Sequence, residues 1–236
     1  MFSFRKTILS AALTLLATPI LAAPLPPGAV IFPTGTTFAA DNDQGGTVIN
    51  DNLIPVTFGG PLLIARYNVQ NRVVRSTNLG SLIFSPRIRD PFNNGFASRF
   101  EIVAFRLTGF ADAMLTDVDF RTDGLGDKGP SSVSRSADGN VLTFRYSDPL
   151  INDAFDPPGV RDTSFFPAIK TTATHFSLTG SMTILGRSAG ADPDDPLTSI
   201  TVRGIAVPTV IPLPASAVLL LAGIAGLGFV GRRKRQ

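Results

Sequence analysis

Between about residues 47 and 207, apolar and polar residues mostly alternate one by one. Leu63, Ala65, Tyr67 and Val69 alternate with Ile64, Arg66 and Asn68. Met114, Thr116, Val118 and Phe120 alternate with Leu115, Asp117, Asp119 and Arg121. Leu142, Phe144 and Tyr146 alternate with Val141, Thr143 and Arg145. Phe176, Leu178, Gly180, Met182 and Ile184 alternate with His175, Ser177, Thr179, Ser181 and Thr183. A period of two sends one set into a core and the other into water, and it predicts half-buried strands with the first-named set inward.

Three further segments are apolar on both faces and are expected as interior strands: Leu79 to Phe84, Phe100 to Leu107 and Ile200 to Val207. Leu53 to Phe58 is another strand, but Pro55 cannot donate to a ladder and assigns it to a sheet edge. Asp138-Gly139-Asn140 is the clearest turn and predicts a hairpin of Ser132–Ser136 with Val141–Ser147. Eight or nine strands without helical crossovers imply an all-β fold, a single antiparallel β-sandwich or jelly roll. Three stretches show no strand pattern. Residues 23–46 read as a loose Pro/Gly-rich arm, Asp148–Thr174 as a long connection docked in part by its phenylalanines, and Gly186–Pro196 as an acidic loop.

Composition sharpens this reading. The strand-rich region holds a single glutamate, Glu101, and only two lysines, while Asp, Asn, Gly, Pro, Ser and Thr abound. That bias disfavours helices and supplies turns. The chain has no cysteine, which excludes disulfides, thiolate zinc ligands and thiol catalysis. A body of about 185 residues can bury about 70% of its unfolded surface in one core.

The two ends carry a different pattern. Arg5-Lys6, the apolar stretch Thr7–Ala17 and the small residues Ala22 and Ala23 form a signal peptide, residues 1–22, with cleavage expected after Ala22. At the other end, Ile211-Pro212-Leu213-Pro214-Ala215 leads into a run from Ala215 to Gly231 that bears no charge. Arg232, Arg233, Lys234 and Arg235 follow. Such a run closes its own hydrogen bonds in a bilayer only as a helix, and the cationic cluster marks its cytoplasmic side. The expected organisation is a signal peptide (1–22), an arm (23–46), the β-domain (47–207) and a C-terminal segment (208–236) with one transmembrane helix. Six of the 21 basic residues lie in the two ends, so the body carries 15 against 18 acidic residues, a net of −3. The pI near 9.7 therefore belongs to targeting segments, and no nucleic-acid partner is expected.

A Pro-Leu-Pro-Ala motif, a short Gly-rich apolar helix and a terminal Arg/Lys cluster resemble the VPLPA variant of the PEP-CTERM sorting signal. Ile211 stands where that motif has valine. The resemblance covers about the last 26 residues and leaves the body unassigned. It implies that an exosortase-like membrane protease reads Pro212, Leu213, Pro214 and Ala215. It also implies export across the inner membrane of a Gram-negative bacterium, C-terminal anchoring, and delivery to the cell surface or extracellular matrix. The chain is thus expected to be a non-enzymatic secreted or surface protein.

The chemical candidates in the body are few. Asp117, Asp119, Asp123 and Asp127 cluster beside Gly124 and Gly126 and are candidate calcium ligands, although Arg121 and Pro130 break the EF-hand pattern. The alternative to calcium is a strand face followed by a solvated turn. Asp192, Asp194 and Asp195 form a second acidic group. His175 is the only histidine and lacks a Gly-x-Ser-x-Gly elbow, and Glu101 has no evident partner for glycoside chemistry. The competing class is a calcium- or polysaccharide-binding β-sandwich module of the exopolysaccharide matrix.

Overall fold

In the computed structural model, which describes residues 24–209 apart from 60–63, 94–98, 112, 154–160 and 189–195, the alternating stretches are strands. In chain order they are β1 (Val30–Ile31), β2 (Gly46–Gly59), β3 (Ile64–Ser76), β4 (Leu82–Phe84), β5 (Arg87–Asn93) and β6 (Phe100–Thr108). There follow β7 (Leu115–Arg121), β8 (Ser132–Arg135), β9 (Val141–Asn152), β10 (Phe166–Thr171), β11 (His175–Ser188) and β12 (Thr198–Thr209). One sheet runs β1-β8-β9-β6-β11-β12; the other runs β2-β3-β4-β10-β7, with β5 also on β3. Every strand pairing is antiparallel. The signal peptide, the C-terminal helix with its motif and basic cluster, and the group Asp192, Asp194 and Asp195 lie outside the described residues. Among the described residues no helix is long and apolar enough to cross a membrane.

The inward faces of the two sheets meet in one aromatic core, as period-two patterning requires. Phe58 on β2 packs on Phe100 on β6 at 4.8 Å between ring centres. Phe105 stacks on Phe144 at 4.6 Å. Tyr67 and Tyr146 point inward as expected, and neither hydroxyl makes a well-formed hydrogen bond. Burial pushes both phenols up from their ordinary pKa, because the loss of water outweighs the little that Asn152 and Ser164 offer the phenolates. Asp138-Gly139-Asn140 turns as predicted, with Gly139 at φ +73° and Ser136 donating its N–H to the Val141 carbonyl at 2.9 Å.

Bulges account for several departures from strict alternation. Thr171 pairs with Leu115 and Lys170 with Asp117, so Thr116 is the extra residue. Leu115 therefore turns inward while Met114 and Thr116 are exposed, the reverse of the simple alternation. On β11 the register slips between Ser177 and Gly180, and Leu178 is left exposed.

Other expectations are corrected outright. The connection after Asp148 contains a strand: β10 lies in the middle of its sheet, and all six of its residues are buried. Its Pro167 is tolerated because β4 ends at Phe84, short of that position. The arm is docked: Leu25 is fully buried, Val30–Ile31 pairs with β8, and Gly46 begins β2. Leu79 belongs to an exposed turn, not to β4.

β12 is an edge strand, although its apolar sequence suggested an interior one. Its two-faced burial comes from a bulge at Gly204, φ +81°, which tips Ile205, Ala206 and Val207 against the other sheet. Asn71 on β3 clamps this crossing. Its Nδ2 donates to the Gly204 carbonyl at 3.0 Å, and its Oδ1 accepts from the Ala206 N–H at 3.1 Å. Asn71→Ala is expected to cost about 1–3 kcal/mol, because the buried Ala206 N–H and the partly buried Gly204 carbonyl lose this partner. Urea unfolding with hydrogen exchange at Ala206 reads the effect; unchanged protection there removes Asn71 from this role.

The register also defines the ends of the sandwich. Gly46, Ser76, Thr108, Leu115, Arg135, Val141, Thr171, His175 and Thr209 share one end. Gly28 bonds the Arg135 and Ser136 carbonyls there, so the chain enters and leaves the domain at the same end.

Candidate functional site

The richest chemistry lies where the arm crosses the outer face of the β2–β7 sheet. Val74, Ile83 and Ala168 form a small apolar patch on that face, apart from the main core. Beside it Lys170, almost fully buried, directs its ammonium to Asp41 Oδ2 of the arm at 2.6 Å and to Asp117 Oδ2 at 3.0 Å. Asp43 Oδ2 lies 4.0 Å away. Burial opposes the charge, but the hydrogen bonds that the ammonium donates to Asp41 and Asp117 outweigh it, and the lysine pKa is raised. Lys128, the other lysine of the body, also bridges two carboxylates but is less buried. It holds Asp148 and Asp162, each at 2.9 Å, and the Pro149 carbonyl, which secures the bulged middle of β9.

These contacts disperse the candidate calcium ligands. Asp117 faces Lys170. Asp119 accepts from the Gly35 N–H at 2.9 Å and from the Thr36 hydroxyl, which fastens the arm to β7. Asp123 pairs with Arg121 at 2.7 Å and accepts from the Phe38 N–H. Its hydrogen bond to Arg121, followed by the one to Phe38, lowers its pKa. Asp127 Oδ2 accepts from the N–H and hydroxyl of Thr163. The four carboxylates serve four separate contacts, and among the described residues no three His, Asp or Glu side chains are grouped to hold a metal ion. Asp117 and Asp119 share the outward face of β7 as expected, but neither is freely solvated there: Asp117 is buried against Lys170 and Asp119 is bonded to the arm, while Asp123 and Asp127 are exposed in the turn beyond.

Farther along the same face, the Arg72 and Arg87 guanidiniums lie 4.3 and 4.2 Å from the centre of the Phe166 ring. Arg72 makes a two-pronged pair with Asp51, at 2.9 and 2.7 Å, and the bond lowers the Asp51 pKa. Arg87 is buried and bonds Gln70 Oε1 and the Leu125 carbonyl, each at 2.8 Å. Burial, with Arg89 and Arg72 nearby, pushes the Arg87 pKa down to about 10. Stacking on a ring and bonding neutral acceptors are what a desolvated guanidinium without its own carboxylate needs.

His175 is exposed at the start of β11, with Nδ1 2.9 Å from the Thr174 hydroxyl. Glu101 is paired with Arg99 at 3.3 Å and Arg187 at 3.5 Å. The structural cations Lys170, Lys128, Arg87 and Arg135 escaped the sequence reading. One signal was available: a lysine inside the apolar stretch Phe-Pro-Ala-Ile-Lys170-Thr needs a buried counter-charge. No family model, curated protein or solved structure matches this chain.

Proposed function

We propose that this chain is an exported, non-enzymatic surface or matrix protein. A C-terminal helix holds it briefly in the inner membrane, and an exosortase-like enzyme processes it at a VPLPA-type signal. The observation that carries the reading is the tripartite order of the tail: Pro212-Leu213-Pro214-Ala215, an uncharged apolar run, then Arg232-Arg233-Lys234-Arg235. The body is consistent with it. Among the described residues, Glu101, Asp117, Asp119, Asp123 and Asp127 are engaged in contacts that hold the domain together. A cysteine-free domain stapled by buried cations also suits an oxidising compartment, where its stability is independent of redox state.

The test is a Pro212→Ala, Pro214→Ala double substitution in the native host, followed by size and location. The altered chain is expected to stay full-length in the inner membrane while the parent is shortened and released. Equal shortening and release of both chains overturns the sorting reading.

A further inference from the structure

The end of the sandwich at which the chain enters and leaves exposes apolar side chains. A groove of about 520 Å³ opens there, lined mostly by apolar residues such as Pro24, Pro26, Pro27, Met114 and Leu115, with Arg135, whose guanidinium is taken up by main-chain carbonyls, also in its wall. Met114 is 67% exposed at its rim, and Leu79, in the β3–β4 turn at the same end, is 44% exposed. The three prolines have no N–H, so covering this surface with an apolar partner strands few main-chain donors. Single exposed apolar side chains occur elsewhere, as at Phe32 and Leu53, and need no explanation. Here they adjoin a groove.

The length of chain beyond this end identifies what covers it. β12 stays paired with β11 to its last residue, Thr209 against His175. Five residues, 210–214, then separate the domain from the uncharged run that starts at Ala215. Fully extended, they span at most about 18 Å. The headgroup layer of a bilayer takes up about 5–8 Å of that reach. A domain whose strands are about 36 Å long, tethered so closely, has this end pressed towards the lipid.

We propose that the end bearing Pro24, Leu79, Met114 and Thr209 is a lipid-facing surface, on which the domain rests against the phospholipid headgroups while its tail is anchored. The inference rests on the C-terminal anchor reading. It assigns the groove and the exposed Met114 to contact with the bilayer interface, and it presents the Pro-Leu-Pro-Ala motif to a processing enzyme at the membrane surface with the domain held in one orientation.

Because the chain has no cysteine, single cysteines report on this directly. Met114→Cys, Leu79→Cys and Leu197→Cys are labelled with a small fluorophore in the full-length chain. Each labelled chain is reconstituted into vesicles of phosphatidylethanolamine and phosphatidylglycerol that carry a headgroup spin-label quencher. Leu197 precedes β12 at the opposite end, about 36 Å from Thr209 along the strand. Positions 114 and 79 are expected to be quenched several-fold more than position 197. Equal quenching at all three, in chains that float with the vesicles, overturns the lipid-facing surface and leaves the anchor standing. A chain that fails to float overturns the anchor and this inference with it.

Discussion

Arg135→Ala is expected to lower the stability of the domain by about 3–5 kcal/mol, because several buried carbonyls lose a charged donor together and each left unsatisfied costs about 1–3 kcal/mol. Arg135 is 5% exposed, and all its hydrogen bonds go to main-chain carbonyls. Nε donates to Gly139, Nη1 to Leu25, and Nη2 to both Phe110 and Ala113, at 2.8 to 3.1 Å. One side chain thus joins the β8–β9 turn, the arm and the β6–β7 connection. Burial pushes its pKa down, the direction expected where the cation has given up water. The bonds to four carbonyls offset that cost; alanine would take this donor from all four, although the Phe110 carbonyl still accepts from the Ala113 N–H at 3.1 Å. Arg135→Lys keeps the charge but not the planar fork, and should recover only part of the loss. Urea unfolding gives the magnitude, and hydrogen exchange at Gly28 and Ala29 shows whether the arm is released. A loss below about 1 kcal/mol would mean that the carbonyls find water instead and that Arg135 is not the joint described.

Much of the fold was legible because a period of two is a strong signal wherever one face is dry. Leu142, Phe144 and Tyr146 are inward as read, the Asp138–Asn140 hairpin forms, and Pro55 sits on an edge strand. The misreadings have common physical causes. A bulge adds one residue and reverses the faces beyond it, and neither Thr116 nor Leu178 announces that by its side chain. β10 escaped because Phe166-Pro167-Ala168-Ile169-Lys170-Thr171 is buried on both faces and shows no alternation, and its proline and lysine read as loop residues. β12 misled in the opposite sense: apolar on both faces, it is an edge strand folded against the facing sheet through Gly204 and Asn71.

The site was less legible than the fold, because its pairings are long-range. Asp41 and Lys170 are 129 positions apart, and Leu25 and Arg135 are 110 apart. Local spacing cannot foresee such contacts. It grouped Asp117, Asp119, Asp123 and Asp127 by their closeness along the chain, whereas the fold assigns each to a different neighbour. The arm failed for the same reason. Its prolines and glycines look loose in sequence, yet Leu25, Thr36 and Asp41 each meet a prepared partner on the β-domain.

Lys170→Met is expected to cost about 3–5 kcal/mol at neutral pH, because Asp41 and Asp117 would remain partly buried without their cation. Methionine matches the lysine in length, so the loss would report charge and not a cavity. Adding Asp117→Asn to Lys170→Met should return part of the loss, since it removes one of the stranded charges; the shortfall from additivity measures the coupling. The pH dependence has a definite sign. The folded pKa of Lys170 lies above its unfolded value of 10.5, so this contribution is complete below about pH 10.5 and is lost as pH rises through the folded value. Parent and Lys170→Met chains melted from pH 7 to 11.5 should therefore converge at the alkaline end. Exchange at Asp43 and Gln44 in the arm should rise in the variant across the neutral range. Parallel melting curves with no convergence would show that the ammonium is not what binds the arm to the sheet.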